Sequence, residues 1–142
     1  DADRVFTETS VDWLVIEADG ARRRPFKAPA DHEPAVPSSA TTVVVVAGID
    51  ALGHAPDEIA HRPELVARLT GAAPTEPLTI DHMAAVLLDE SGGLKEIPPS
   101  ARVVMAVSKV TGSDLGPAQE LADILESHPR VERTVLLDAD SG

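Results

Sequence analysis

Residues 17–34, EADGARRRPFKAPADHEP, gather the densest basic cluster of an acidic chain directly behind two carboxylates. Glu17 and Asp19 are oxygen ligands of the kind Mg²⁺ takes, since that ion combines one or two carboxylates with water and substrate phosphates. Gly20 allows the backbone to turn sharply and approach a ligand closely. Arg22, Arg23, Arg24 and Lys27 can grip an anion, the arginines through a planar fork and the lysine as a point charge. The order carboxylate, glycine, cations therefore suits an anion escorted by a metal. The plainer reading is a set of surface ion pairs, each contributing about 0–1 kcal/mol. For one arginine alone the plain reading is preferred; for the loop as a unit, a ligand site is.

Other groups carry less chemistry. His32 and Glu33 are adjacent, and adjacent side chains of an extended chain diverge, so the pair chelates poorly by itself. His61, with Arg62 and Glu64, forms a polar cluster before a helix, where local hydrogen bonding is expected rather than proton transfer. His32, Glu33, His61 and Arg62 stay as secondary candidates. Lys109 ends an apolar run and reads either as a solvated lysine or as a group lying along a ligand. No Ser-His-Asp order, HExxH helix, GxSxG elbow or GxGxxG turn is present. Residues 91–99, SGGLKEIPP, lack the spacing of a phosphate loop and read as a turn.

The elements that would position these groups follow from pattern. Residues 11–16, VDWLVI, are nearly continuous apolar and read as a strand buried on both faces, with Trp13 in the core. Residues 41–48, 101–108 and 133–139 read as three further strands of the same kind. Between them lie helical patterns. Pro63 opens and Gly71 closes RPELVARLTG. Thr79 caps IDHMAAVLLDE, with Asp81 in the first turn. Gly116 and Pro117 open AQELADILES, which Pro129 ends. Residues 25–37 are proline-rich loop. Strands alternating with helices predict an α/β fold: a three-layer, mainly parallel sheet with helices on both faces, forming one domain over residues 1–142. The loop after residues 11–16 then lies outside a strand's carboxyl end, where open parallel sheets bind ligands.

Composition narrows the function classes. There are 24 Asp plus Glu against 12 Lys plus Arg, a formal net charge of −12. Such a surface repels duplex nucleic acid, which is bound through many phosphate–cation contacts. It suits a protein kept soluble in concentrated salt, or an ordinary acidic protein. No cysteine is present, which removes disulfides, thiolate metal sites and cysteine nucleophiles. No apolar run has the roughly 18 residues of a membrane span. A cytoplasmic protein without nucleic-acid or membrane partners is expected.

Several of these segments together resemble the YqeC-like family, whose members are described as accessory proteins of selenium-dependent molybdenum hydroxylases. The resemblance is carried by VIEADGARRRPFKAPADHEPAVP from Val15, GIDALG from Gly48, HRPELVARLTG from His61, GGLKEIPPSAR from Gly92 and AVSKV around Lys109, all in the family's order. It implies a nucleotide-binding protein of the P-loop class, with Mg²⁺ and a purine nucleotide, ATP or GTP. The IEADG segment is similar to the Glu-x-x-Gly motif of metal-chaperone GTPases, which implies a Mg²⁺ role for Glu17 and Asp19. VSKV stands in the place of an Asn-Lys-x-Asp base-reading motif. Family members carry a glycine-rich loop ending in Gly-Lys-Thr; the present sequence has none, and that loop with its strand is expected upstream. Ser108 stands where Asn is expected and Thr111 where Asp is, and neither reproduces the hydrogen bonds of the residue it replaces. The implied function is nucleotide-dependent maturation of a molybdenum hydroxylase, with the full-length protein hydrolysing ATP or GTP and these residues alone inactive. The alternatives are a non-catalytic scaffold docking on an acidic partner enzyme, and a transferase acting on a nucleotide-bearing molybdenum cofactor.

Overall fold

The branched, uncharged run TVVVVAG has the composition of a parallel strand, and in the computed structural model, which describes residues 2–139, it pairs along its whole length. In chain order the elements are α1 (Ala2–Glu8), β1 (Phe26–Lys27), β2 (Thr42–Gly48), a 3-10 turn (Ile49–Ala51), α2 (Pro56–Ile59), β3 (Ala60–His61), α3 (Pro63–Thr70), α4 (Ile80–Leu88), β4 (Arg102–Val110), α5 (Leu115–Glu126) and β5 (Val131–Asp138). β2, β4 and β5 form a parallel sheet in the order β2-β4-β5, Thr42 opposite Arg102 and Val103 opposite Val131. β1 and β3 form a second, two-residue parallel pair, Phe26 opposite Ala60 and Lys27 opposite His61. The α/β class and the parallel pairing agree with the sequence expectation.

Helix ends follow local chemistry. Pro63 occupies the first turn of α3, where its missing N–H costs nothing, and Gly71 closes the helix at φ 75. Thr79 caps α4 by accepting from the His82 N–H, and the His82 ring accepts from the Thr79 N–H in return, completing a capping box. The glycines of residues 91–99 tuck under α4. A Cβ on Gly92 would collide with the Val86 carbonyl oxygen and one on Gly93 with that of Leu87, so the turn needs both.

The main core cluster lies on one face of the sheet. Val103, Met105 and Val107 of β4 share that face and pack with Met83, Val86 and Leu87 of α4 and Leu121 and Leu125 of α5. Val104 and Ala106, on the other face of β4, are buried as well. The opposite row of β2 is open: Val44 is 54% and Val46 62% exposed.

One expectation is overturned. Residues 11–16 form no strand and are exposed, Trp13 at 87% and Val15 at 93%, so Trp13 is not in the core. An apolar run becomes a buried strand only where a neighbour offers a ladder and a cover, and among the described residues nothing pairs with it. A smaller correction falls on the proline-rich loop, which contains β1.

Candidate functional site: a charged loop at the rim of the sheet

Gly48 ends β2 and fixes the loop to the sheet. Its N–H donates to the Pro25 carbonyl at 2.7 Å, and a Cβ here would run into Pro25 and the Asp50 carboxylate. The segment from Glu17 to Lys27 is therefore held at the carboxyl-terminal rim of β2.

Within it Arg22 and Arg23 both have positive φ, 49 and 62, and the Arg24 N–H donates to the Ala21 carbonyl at 2.9 Å. That is the φ pattern of a type I′ turn, which Asn-Gly adopts with least strain. Two arginines in a row in the left-handed region are held there against their preference. Both side chains are exposed and make no ion pair among the described residues. Arg24 instead turns back and donates to the Glu58 carbonyl.

Lys27 does the opposite. Its side chain is 8% exposed, and its ammonium meets Asp19 Oδ2 at 3.1 Å, Glu33 Oε2 at 2.7 Å and the Gly20 carbonyl at 2.8 Å. Arg62, at φ 63, grips the same Glu33 through Nη1 at 2.6 Å and Nη2 at 3.2 Å. The Arg62 guanidinium first, then the Lys27 ammonium, hold the Glu33 carboxyl at about 2, well below its ordinary value. Lys95, from the far turn, donates to the Ala30 and Asp31 carbonyls at 2.6 and 3.1 Å, closing the loop from below. His32 stays exposed, 3.8 Å from Glu33.

The Glu33 ion pairs have a pH signature. A carboxyl depressed in the fold contributes stability that is complete above its unfolded value, about 4.3, and that fades as pH falls toward 2. Urea unfolding followed from pH 5 to 2 is expected to show an acid loss that Glu33→Gln flattens; an unaltered slope would exclude this assignment.

His61 sits opposite Lys27 in the β1–β3 pair. Burial lowers its pKa first, and the charges of Arg62, Arg22 and Lys27 push it down further against a weaker pull from Glu33. The net field at His61 is positive although the chain as a whole is strongly acidic. Glu17 is exposed and its carboxylate makes no ion pair or hydrogen bond among the described residues, whereas Asp19 is engaged by Lys27. No group of three or more His, Asp or Glu that could hold a metal is found among the described residues. One open carboxylate fits Mg²⁺ in the mode where water and phosphate supply most ligands, not in a protein cage.

The same rim continues to β4. Lys109, at φ 59, donates to Asp50 Oδ2 at 2.9 Å. The Ser108 hydroxyl donates to the Ala47 carbonyl at 3.3 Å, and the Thr111 hydroxyl is taken by Asp114 and Ser113. Beyond them lies an open cavity of about 260 Å³ lined by Val110, Thr111, Gly112, Leu115, Leu136 and Asp138. A second hollow, between Glu96 and Arg130, lies at the opposite end of the strands, where Arg130 clamps the carbonyls of Pro98, Pro99 and Ala101.

Sequence reasoning placed Glu17, Asp19, Gly20, Arg22, Arg23, Arg24 and Lys27 in one loop following a strand; in the structure no strand precedes Glu17, and Lys27 lies in β1 rather than in the loop. That reasoning did not find the joining of Lys27 and Arg62 on Glu33, the Lys95 strut or the Asp50–Lys109 pair. The register of β1 with β3 brings Lys27 beside His61, and no local pattern signals two-residue strands.

Fold and site together define a parallel α/β protein with a charged loop at the strand rim. The family model described as YqeC protein matches residues 2–64. A curated protein of Escherichia coli (strain K12), "Uncharacterized protein YqeC", is 33% identical over 128 residues, covering 89% of this chain and 50% of that protein. The chain is YqeC-like, and it spans half the length of the curated relative it matches. No solved structure matches it. No helix among the described residues is long and apolar enough to cross a membrane.

Proposed function

We propose that these residues form the anion-handling side of a nucleotide-binding site, in an accessory protein that matures a selenium-dependent molybdenum hydroxylase. The carrying observation is the Arg22–Arg23 turn: two exposed guanidiniums held in left-handed backbone, with the charge of Arg22 felt at His61 and the exposed carboxylate of Glu17 five residues earlier in the chain. Backbone strain of roughly 1–3 kcal/mol per residue persists where the surroundings enforce it, and it concentrates at ligand sites. Glu17 takes Mg²⁺ directly or through water. Arg22 and Arg23 meet the phosphates of ATP or GTP. Lys27 is a bolt that fixes Asp19 and the Gly20 turn and does not face the ligand. The base lies along Lys109 against the cavity beside Thr111. Bound Mg²⁺ neutralises phosphate charge; the chain orients the anion and its escort, which is most of what phosphoryl transfer asks of a protein. The P-loop of the resemblance belongs, on this reading, to the rest of the full-length chain.

Calorimetry of the full-length protein with ATP, GTP and a molybdopterin nucleotide, with and without Mg²⁺, is the test. Binding of one of them is expected, together with a rise in the His61 pKa followed by NMR, because an anion offsets the cations around that ring. No binding of any, with Mg²⁺ present, ends the reading.

A second reading has its own support. The Ser108 and Thr111 hydroxyls are spent within the fold, so neither presents a base-reading group. A docking scaffold would use the same arginine turn on an acidic partner. Charge reversal at Arg22 and Arg23 would then abolish partner capture while Glu17→Ala left it intact.

A further inference from the structure

The hollow at the amino-terminal end of the strands has a charge balance opposite to that of the arginine turn. It holds about 420 Å³, within the range of small-ligand sites, and lies between the turn after α4 and the link from α5 to β5. Both walls are fixed from outside. Gly92 and Gly93 sit too close to α4 to admit a side chain, and the Arg130 guanidinium ties the link to the carbonyls of Pro98, Pro99 and Ala101. Leu94, Ile97 and Pro99 supply the apolar lining.

The polar groups are two carboxylates and an imidazole. Glu90 and Glu96 line the hollow, are exposed, and make no ion pair or hydrogen bond among the described residues. The two neighbouring cations are engaged elsewhere: Arg130 on its three carbonyls, and Lys95 on those of Ala30 and Asp31. Glu96 stands at φ 58, and across this kink the Lys95 and Glu96 side chains go separate ways. His128 accepts the Arg130 N–H at Nδ1, 3.2 Å away, so the neutral ring carries its proton on Nε2 and donates from there.

This set of groups selects among ligands. An anion would meet two carboxylates without counter-ions. A metal ion needs its ligands within one sphere, and no group of three or more His, Asp or Glu that could hold one is found among the described residues. A longer organic cation can reach the carboxylates with its head and lay its methylenes on the apolar lining, as lysine and arginine stems do. We infer that this hollow is a second binding site, which takes a lysine or arginine side chain presented by a protein segment. The cation meets Glu90 and Glu96, the stem lies on Leu94, Ile97 and Pro99, and a peptide carbonyl beside it accepts from His128 Nε2. A simple alkylamine has the cation and the stem but no acceptor for the imidazole. The hollow is at the opposite end of the parallel strands from the Arg22–Arg23 turn, so the inference stands or falls apart from nucleotide binding.

NMR titration of the full-length protein tests it, with acetyl-Ala-Lys-Ala-amide, acetyl-Ala-Arg-Ala-amide, the lysine peptide acetylated on its side chain, and n-butylamine. Saturable binding of at least one basic peptide, with a Kd of about 1 mM or tighter, is expected, with shifts confined to the amides of residues 90–99 and 128–130. The affinity is expected to fall about 10-fold, the scale of one charge-assisted hydrogen bond, when Glu90→Gln and Glu96→Gln are combined, with the urea midpoint unchanged. The acetylated peptide is expected not to bind. No saturation with either basic peptide, shifts scattered over the acidic surface, or a double variant that binds as the parent does would each overturn the site. Butylamine binding as tightly as the peptides would overturn the peptide assignment.

Discussion

Lys27→Met is expected to destabilise the protein by about 3 kcal/mol, the scale of breaking an ion pair that solvent barely reaches. The methionine fills most of the lysine's volume, so the loss measures charge and hydrogen bonding more than packing. Asp19 and Glu33 lose their shared cation, and the Gly20 carbonyl loses its donor. Glu33 keeps Arg62, which limits the loss; Asp19 keeps no other ion pair among the described residues and becomes an unpaired carboxylate at 31% exposure. With a urea slope of roughly 1–3 kcal/mol/M the midpoint falls by one to a few molar. Were Lys27 a ligand-facing cation instead, its removal would leave stability unchanged or raised while weakening anion binding. A loss below about 1 kcal/mol, within the usual spread for surface changes, would reject the structural role.

Glu17→Ala should act in the opposite way. The carboxylate is exposed and holds nothing in the fold, so stability is expected to stay within about 0.5 kcal/mol of the parent. The Mg²⁺-dependent part of nucleotide affinity in the full-length protein is expected to drop about 100-fold or more, roughly 2.7 kcal/mol, with the Mg²⁺-free affinity little altered. Arg22→Ala should instead lower affinity with or without Mg²⁺, and more at low salt, because an exposed cation acts through a screened field. Equal loss with and without the metal in Glu17→Ala would remove that residue from any metal role.

What could be read in the sequence was local. Pro63, Gly71 and Thr79 mark helix ends through contacts within four residues, and all three act as expected. The His82 ring accepts from the Thr79 N–H three positions back, a pairing set by the geometry of the helix start. The strands β2, β4 and β5 were legible because a branched apolar run has few other uses. Residues 11–16 have the same composition and a different fate, since strand formation needs a neighbour and a neighbour is not a property of the run. The candidate loop was legible in content but not in wiring. Six residues of spacing tie Lys27 to Glu33, and a much longer separation ties Arg62 to it; only the β1–β3 register brings the three together. Thus one of the cations that looked available is used up inside, while the strained pair Arg22 and Arg23 stays outside.

The parallel order of β2, β4 and β5 also bears on how the rim comes into being. β4 and β5 are joined by the single helix α5, whereas β2 reaches β4 only after α2, α3 and α4 have been laid down. Closing the longer crossover costs more chain entropy, so the β4–α5–β5 unit is expected to assemble early and β2 to dock late. Since Gly48 of β2 carries the anchor for Pro25, the arginine turn becomes ordered only in the last step of maturation of the fold itself. Val45→Ala should then accelerate unfolding while leaving the refolding rate nearly unchanged, and a slowed refolding rate would reverse the order.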